Sequence, residues 1–173
     1  MYNIDYVSGK GIPALLNKES NLKGLEIGTD LGETAEFILM ELPNVELHAV
    51  DPYSDFIDWN GNVFGFRDQT YENVLARFAP YGERFVMHRN TSDNAVNDFA
   101  ANEFDFIFVD GLHTYEQVLL DCQNYYSKLK DGGYFFGHDY YAIDGVRQAV
   151  DEFAATLGKE ILFTDSDVWY WTK

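Results

Sequence analysis

From Leu22 onward, apolar residues alternate between two rhythms. Leu22 to Ile27 is a short apolar run that stops at Gly28, the pattern of a buried strand. Glu33 to Leu42 places Ala35, Ile38, Leu39 and Leu42 three and four apart, on one helical face, and Pro43-Asn44 stops it. Val45 to Val50 reads as the second strand. Asp68 to Phe78 reads as the second helix, with Val74, Leu75 and Phe78 apolar, and Arg84 to His88 as the third strand. Asp93 is positioned to cap a short helix running to Phe99. Phe104 to Val109 is almost wholly apolar, as expected of a central strand covered on both faces. Tyr115 to Lys130 predicts a long helix ended by Gly132-Gly133, with Tyr134 to Phe136 beginning the fifth strand. Asp144 to Leu157 carries Val146, Ala149, Val150 and Phe153 on one face, and Gly158 follows its end. Ile161 to Thr164 and Val168 to Thr172 flank the polar turn Asp165-Ser166-Asp167, a hairpin pattern.

Five strand–helix units and a closing strand pair predict an α/β fold. The expected architecture is a doubly wound, Rossmann-like, mostly parallel seven-stranded sheet, with helices on both faces and a C-terminal antiparallel strand pair. The 173 residues suit one domain over 1–173, with 1–21 as an N-terminal extension. Residues 53–67 form a long connection carrying Phe56, Trp59, Phe64 and Phe66. Long loops in compact domains often cover binding sites. The other readings of this one are a packed surface segment and a contact between copies in a homodimer.

Composition narrows the partners. Twelve Lys and Arg face 29 Asp and Glu, a formal net charge of -17. Such a surface repels phosphate backbones and anionic lipid, so neither nucleic acid nor a membrane is an expected partner. No stretch approaches the ~18 apolar residues of a membrane span. The lone Cys122 cannot form an internal disulfide, and no signal core precedes Lys10, so the cytoplasm is the expected location.

Ligands of such sheets bind outside the C-terminal strand ends, at the point where strand order reverses. Those ends are Gly28, Asp51, Asn90, Asp110 and Asp139. The first turn, Glu26-Ile27-Gly28-Thr29-Asp30-Leu31-Gly32, is Gly-x-x-x-Gly and lacks the third glycine of the dinucleotide fingerprint. Asp30 and Glu33 would repel a pyrophosphate there. The turn suits a cationic or zwitterionic ligand, which the sulfonium and amino group of S-adenosylmethionine match. Asp51, before Pro52, can accept both hydroxyls of a ribose; its alternative role is a turn cap. Asn90, Thr91 and Ser92 are placed for a base edge, or form a polar turn.

Asp110 and His113 follow the fourth strand, and His138 and Asp139 the fifth. Two carboxylates and two imidazoles suit a divalent ion such as Mg²⁺ or a general base, or simply bond the turn backbone. The ordered set Glu26-x-Gly28-x-x-x-Gly32, Val50-Asp51-Pro52, Val109-Asp110-Gly111-x-His113-x-Tyr115-Glu116 and Gly132-Gly133 through His138-Asp139-Tyr140 resembles class I S-adenosylmethionine-dependent methyltransferases. It is most similar to the small-molecule O-methyltransferase branch of caffeoyl-CoA, catechol and macrocin types, from about Leu22 to Thr172.

The resemblance implies methyl transfer of the EC 2.1.1 type to a small-molecule acceptor. It implies cofactor contacts at Glu26, Gly28, Thr29, Gly32, Asp51, Pro52, Thr91, Ser92 and Asp110. It also implies a metal at Asp110 and Asp139, with His138 or His113 in place of the family's third ligand, and catalysis by His113, Asp110 and His138. Metal-dependent members carry Asp-Asn or Asp-Asp where this chain has Asp139-Tyr140, and the caffeoyl-CoA type carries a lysine base where this chain has His113. Three rival readings are an inactive nucleoside-binding module, a metal-dependent hydrolase using Asp110, His113, His138 and Asp139, and a nicotinamide oxidoreductase, which lacks its glycine pattern.

Overall fold

A strand read as apolar on both faces must lie between two helical layers, and Phe104–Val109 does. The computed structural model describes residues 7–57, 60–164 and 167–173. Its strands are β1 (Leu22–Ile27), β2 (Val45–Val50), β3 (Phe56–Ile57), β4 (Val63–Phe64), β5 (Phe85–His88), β6 (Phe104–Val109), β7 (Leu129–Gly137), β8 (Leu162–Phe163) and β9 (Trp169–Thr172). Its α-helices are α1 (Glu33–Glu41), α2 (Arg67–Phe78), α3 (Ser92–Ala95), α4 (Tyr115–Tyr125) and α5 (Asp144–Leu157). Seven strands form one sheet in the order β5-β2-β1-β6-β7-β9-β8. The β5, β2, β1, β6 and β7 neighbours pair in parallel, whereas β9 runs antiparallel to both β7 and β8. This is the expected Rossmann-like, mostly parallel sheet with its closing antiparallel pair.

Successive side chains of a strand point to opposite faces. Ile107 and Val109 therefore join Leu25, Phe135 and Trp171 under Val118, Cys122 and Tyr125 of α4 and Val146, Val150 and Phe153 of α5. Phe106 and Phe108 join Leu47 and Phe136 under Ala35, Ile38 and Leu39 of α1 and Val74 and Phe78 of α2. Phe104, Phe106, Ile107 and Phe108 are all 0% exposed, which explains the unbroken apolar run.

Three elements differ from the sequence reading. The helix from Tyr115 ends at Tyr125, one 3₁₀ turn covers Tyr126–Lys128, and β7 starts at Leu129. Gly132 and Gly133 are thus inside a strand. Leu129 pairs with Phe104, and the register shifts before Tyr134 pairs with Phe106. Gly132 takes φ +78°, and a Cβ on Gly133 would meet Asp105 O at 2.8 Å. The glycines permit a bulge where they were expected to end a helix. Second, Thr91 occupies the N-cap of α3 and Asp93 lies in its first turn. Third, the 53–67 connection holds the small antiparallel pair β3–β4, with Phe56 opposite Phe64. Trp59 of that connection lies outside the described residues, as do Asp165 and Ser166 of the closing turn. Among the described residues, no helix is long and apolar enough to cross a membrane.

Candidate active site

β1 pairs with β2 on one side and with β6 on the other, so strand order reverses at β1. The turns after β1 and β6 meet there. Gly28 N donates to Val50 O at 2.9 Å, and Asp110 N donates to Ile27 O at 2.9 Å. Gly28 has φ +88°, and a Cβ on it would lie 2.2 Å from Asp110 O. Only glycine lets these two turns close on each other.

Asp51, 8% exposed, fastens the turns after β1 and β2 together. Its Oδ2 accepts from Thr29 N at 3.2 Å and Asp30 N at 3.0 Å, and its Oδ1 accepts from Tyr53 N at 2.8 Å. Glu26 lies beneath, 1% exposed, with Oε2 lacking any hydrogen-bond partner. Burial, then the charges of Asp110 and Asp51, push its carboxyl up to about 8. The Thr29 hydroxyl is buried beside it. Gly32, at φ +78°, faces the core instead: a Cβ there would meet the Phe78 ring at 2.5 Å.

A cleft of about 490 Å³ opens over these turns. Its wall includes the expected Gly28, Asp51, Pro52, Thr91, Ser92, Asp110 and His113, but not Glu26, Thr29, Gly32, His138 or Asp139. Phe56, from the long connection read as a possible cover, also lines it; sequence reasoning missed Gln117 and Asp121, which reach the cleft from α4, and Arg67, which reaches it from the start of α2. Gln117 Nε2 lies 3.2 Å from Ser92 Oγ, 3.0 Å from Asp93 Oδ1 and 3.1 Å from Asp121 Oδ1. Asp121 is 1% exposed, and burial raises its carboxyl to about 6. A carboxylate beside Cys122, on the buried face of α4, was the available signal.

At the far end, His113 Nε2 stands 3.2 Å from Asp110 Oδ1 and 2.9 Å from Asp139 Oδ2. Burial alone would lower the His113 pKa, but hydrogen bonds to Asp110 and Asp139 outweigh it and lift the group to about 9. Burial would raise Asp139, yet its bonds to His113 and His138 hold it well below the usual carboxylate range. His138 Nδ1 lies 3.2 Å from Asp139 Oδ1, and His138 too is raised against its burial. Ligand atoms of Asp110, His113 and Asp139 all fall within 4.8 Å of one another, a donor set that fits a divalent cation. Tyr140 turns elsewhere, its hydroxyl donating to Asp151 Oδ1 at 2.6 Å.

Residues 25–140 match a family described as a methyltransferase domain. An uncharacterized protein of Acanthamoeba polyphaga mimivirus is 27% identical over 128 residues, covering 71% of this chain and 53% of that protein. The chain thus spans about half the length of the curated relative it matches. Among solved structures, the O-methyltransferase NovP superposes with a TM-score of 0.67 at 19% identity, over 99% of this chain and 78% of that one. A candidate caffeoyl-CoA O-methyltransferase from Staphylococcus aureus gives 0.66 at 15%, over 94% and 80%. A Podospora anserina methyltransferase bound to S-adenosylhomocysteine gives 0.63 at 16%, over 100% and 89%. At these identities the likeness is one of fold.

Proposed function

The chain belongs to the methyltransferase-domain family, and from that membership we propose that it transfers a methyl group from S-adenosylmethionine to a hydroxyl oxygen of a small-molecule acceptor. The supporting observation is that one cleft joins the Gly28–Asp51 floor to the Asp110–His113 end.

S-adenosylmethionine supplies a methyl group already activated on a sulfonium, so the protein's task is placement. Gly28 allows close backbone approach, and Asp51 presents a carboxylate already oriented by three N–H groups to a ribose. Glu26 keeps its proton until about pH 8, and a cationic group above it favours the ionised form. Ser92, Asp93 and Asp121 offer acceptors to an exocyclic amino group.

Asp110, Asp139 and His113 are the groups that would hold a divalent cation, whose chemistry is to lower the pKa of an acceptor hydroxyl. His113, bonded to both carboxylates, holds its own proton at neutral pH. It accepts another group's proton only where those carboxylates direct their charge elsewhere. Its role as a base and the cation-holding role of the carboxylates are therefore linked.

Thermal shift tests the class: S-adenosylhomocysteine should raise the melting temperature and NADH should not. A shift with NADH alone would replace the proposal with the oxidoreductase reading. With an acceptor in hand, His113→Ala should cut turnover roughly 10²- to 10⁴-fold while cofactor affinity stays near normal. Undiminished turnover would remove His113 from the reaction.

A further inference from the structure

The cleft does not end at Asp51. Pro52, Ser54 and Arg67 line it and also line a second cavity of about 520 Å³ beyond it. Tyr53, Phe66, Asp68 and Arg89 complete most of the second wall.

Three observations there point to one chemistry. Arg67 is 7% exposed, and its Nε has no hydrogen-bond partner. Buried donors are normally satisfied, and a guanidinium N–H bonds most strongly to an anionic oxygen. The group is held in place: Nη1 pairs with Asp30 Oδ1 at 2.8 Å, and the guanidinium carbon lies 5.5 Å from the Tyr53 ring and 5.6 Å from the Phe56 ring.

The second observation is the start of α2. This 12-residue helix begins at Arg67, with Phe66 at its N-cap and no side-chain cap. Phe66, Arg67 and Asp68 line the cavity, which sets the positive end of the helix at its wall. The third is Arg89, which lies 4.5 Å from the Tyr71 ring centre, donates from Nη2 to Tyr53 O at 3.2 Å, and forms another wall. Arg67 and Arg89 thus bring two guanidiniums to one cavity wall in a chain with 12 Lys and Arg against 29 acids. Asp68 is paired with Arg89, and Asp55, also on the wall, is exposed to water.

We propose that this second cavity is an oxyanion site, taking the carboxylate or phosphate of a small molecule bound at the same time as the cofactor in the adjoining cleft. Simultaneous binding rests on the methyl-transfer reading; the oxyanion site itself does not. An incoming oxyanion meets the unpartnered Nε of Arg67 and the N-terminus of α2, and competes with Asp68 for Arg89.

The test is calorimetric titration of the full chain with inorganic phosphate at constant ionic strength, with and without saturating S-adenosylhomocysteine. Saturable phosphate binding is expected in both conditions. Arg89→Gln should weaken it by about tenfold or more, equivalent to ~1.4 kcal/mol. Asp68→Asn should strengthen it several-fold by releasing Arg89. The side chains of Arg89 and Asp68 are 37% and 87% exposed, so neither substitution removes buried support. Absence of saturable phosphate binding, or equal affinity in the wild type and both variants, overturns the proposal. Displacement of phosphate by S-adenosylhomocysteine overturns it differently, by giving the anion's place to the cofactor's own carboxylate. S-adenosylhomocysteine titrated alone reads the other proposal: if it fails to bind while phosphate and both variants behave as expected, methyl transfer falls and the oxyanion site stands.

Discussion

A Cβ on Gly28 would strike the Asp110 carbonyl, and the φ of +88° is itself costly for any other residue. Gly28→Ala should therefore destabilise the fold by at least about 1–3 kcal/mol. It should also abolish uptake of S-adenosylhomocysteine, because the turns after β1 and β6 must separate. Chemical denaturation and ligand titration measure the two effects; wild-type binding by the alanine variant would show that the close approach is not needed. His113 gives a pH signature. Its ordinary value is 6.5 and its folded value about 9, so the folded chain holds this proton more tightly than the unfolded chain. That stabilisation is complete below about pH 6.5 and is lost as pH rises through 9. Glu26 slopes the same way between 4.5 and about 8, for the same reason. In the presence of a chelator, the melting temperature should fall across pH 6.5 to 9, and His113→Gln should flatten the upper part of that fall. Parallel curves for the two proteins would mean that Asp110 and Asp139 do not hold the proton.

Strand β9 ties the sheet to the segment that carries His138 and Asp139. Trp169 is 0% exposed, its Nε1 donates to His138 O at 3.1 Å, and its ring lies against Gly137, where a Cβ would be 2.0 Å from it. Trp169→Ala should cost about 3–5 kcal/mol, a fall in melting temperature on the order of 10 °C. A loss below about 1 kcal/mol would mean that the ring is not a support. The limits of β1, β2 and β6 were legible because each is an apolar run ended by Gly28, Asp51 or Asp110. Those ends also supplied most of the cleft. The start of β7 was not legible. Lys130-Asp131-Gly132-Gly133 has no apolar rhythm, and long-range contacts make it a strand: Leu129 pairs with Phe104, and Lys130 Nζ bonds Asp105 Oδ1 at 2.8 Å. Gln117, Asp121 and Arg67 escaped for a related reason. They sit inside helices or at a helix start, and only packing brings them beside the strand ends.

The arrangement of the whole sheet, more than any single motif, makes the cleft. Parallel strands deliver Gly28, Asp51 and Asp110 to one edge, and the reversal of strand order at β1 leaves a gap between their turns. The net charge of -17 fits this account, since much of the cleft wall is carboxylate: Asp30, Asp51, Asp93, Asp110 and Asp121. Such a wall favours a ligand with a sulfonium and an amino group over a pyrophosphate. The most direct test of the central claim is calorimetric titration of S-adenosylhomocysteine into the wild-type chain and Asp51→Ala. One saturable site per chain is expected, weakened by the substitution by roughly ten- to a hundredfold. Absence of binding by the wild type, or equal affinity in the two proteins, would contradict it.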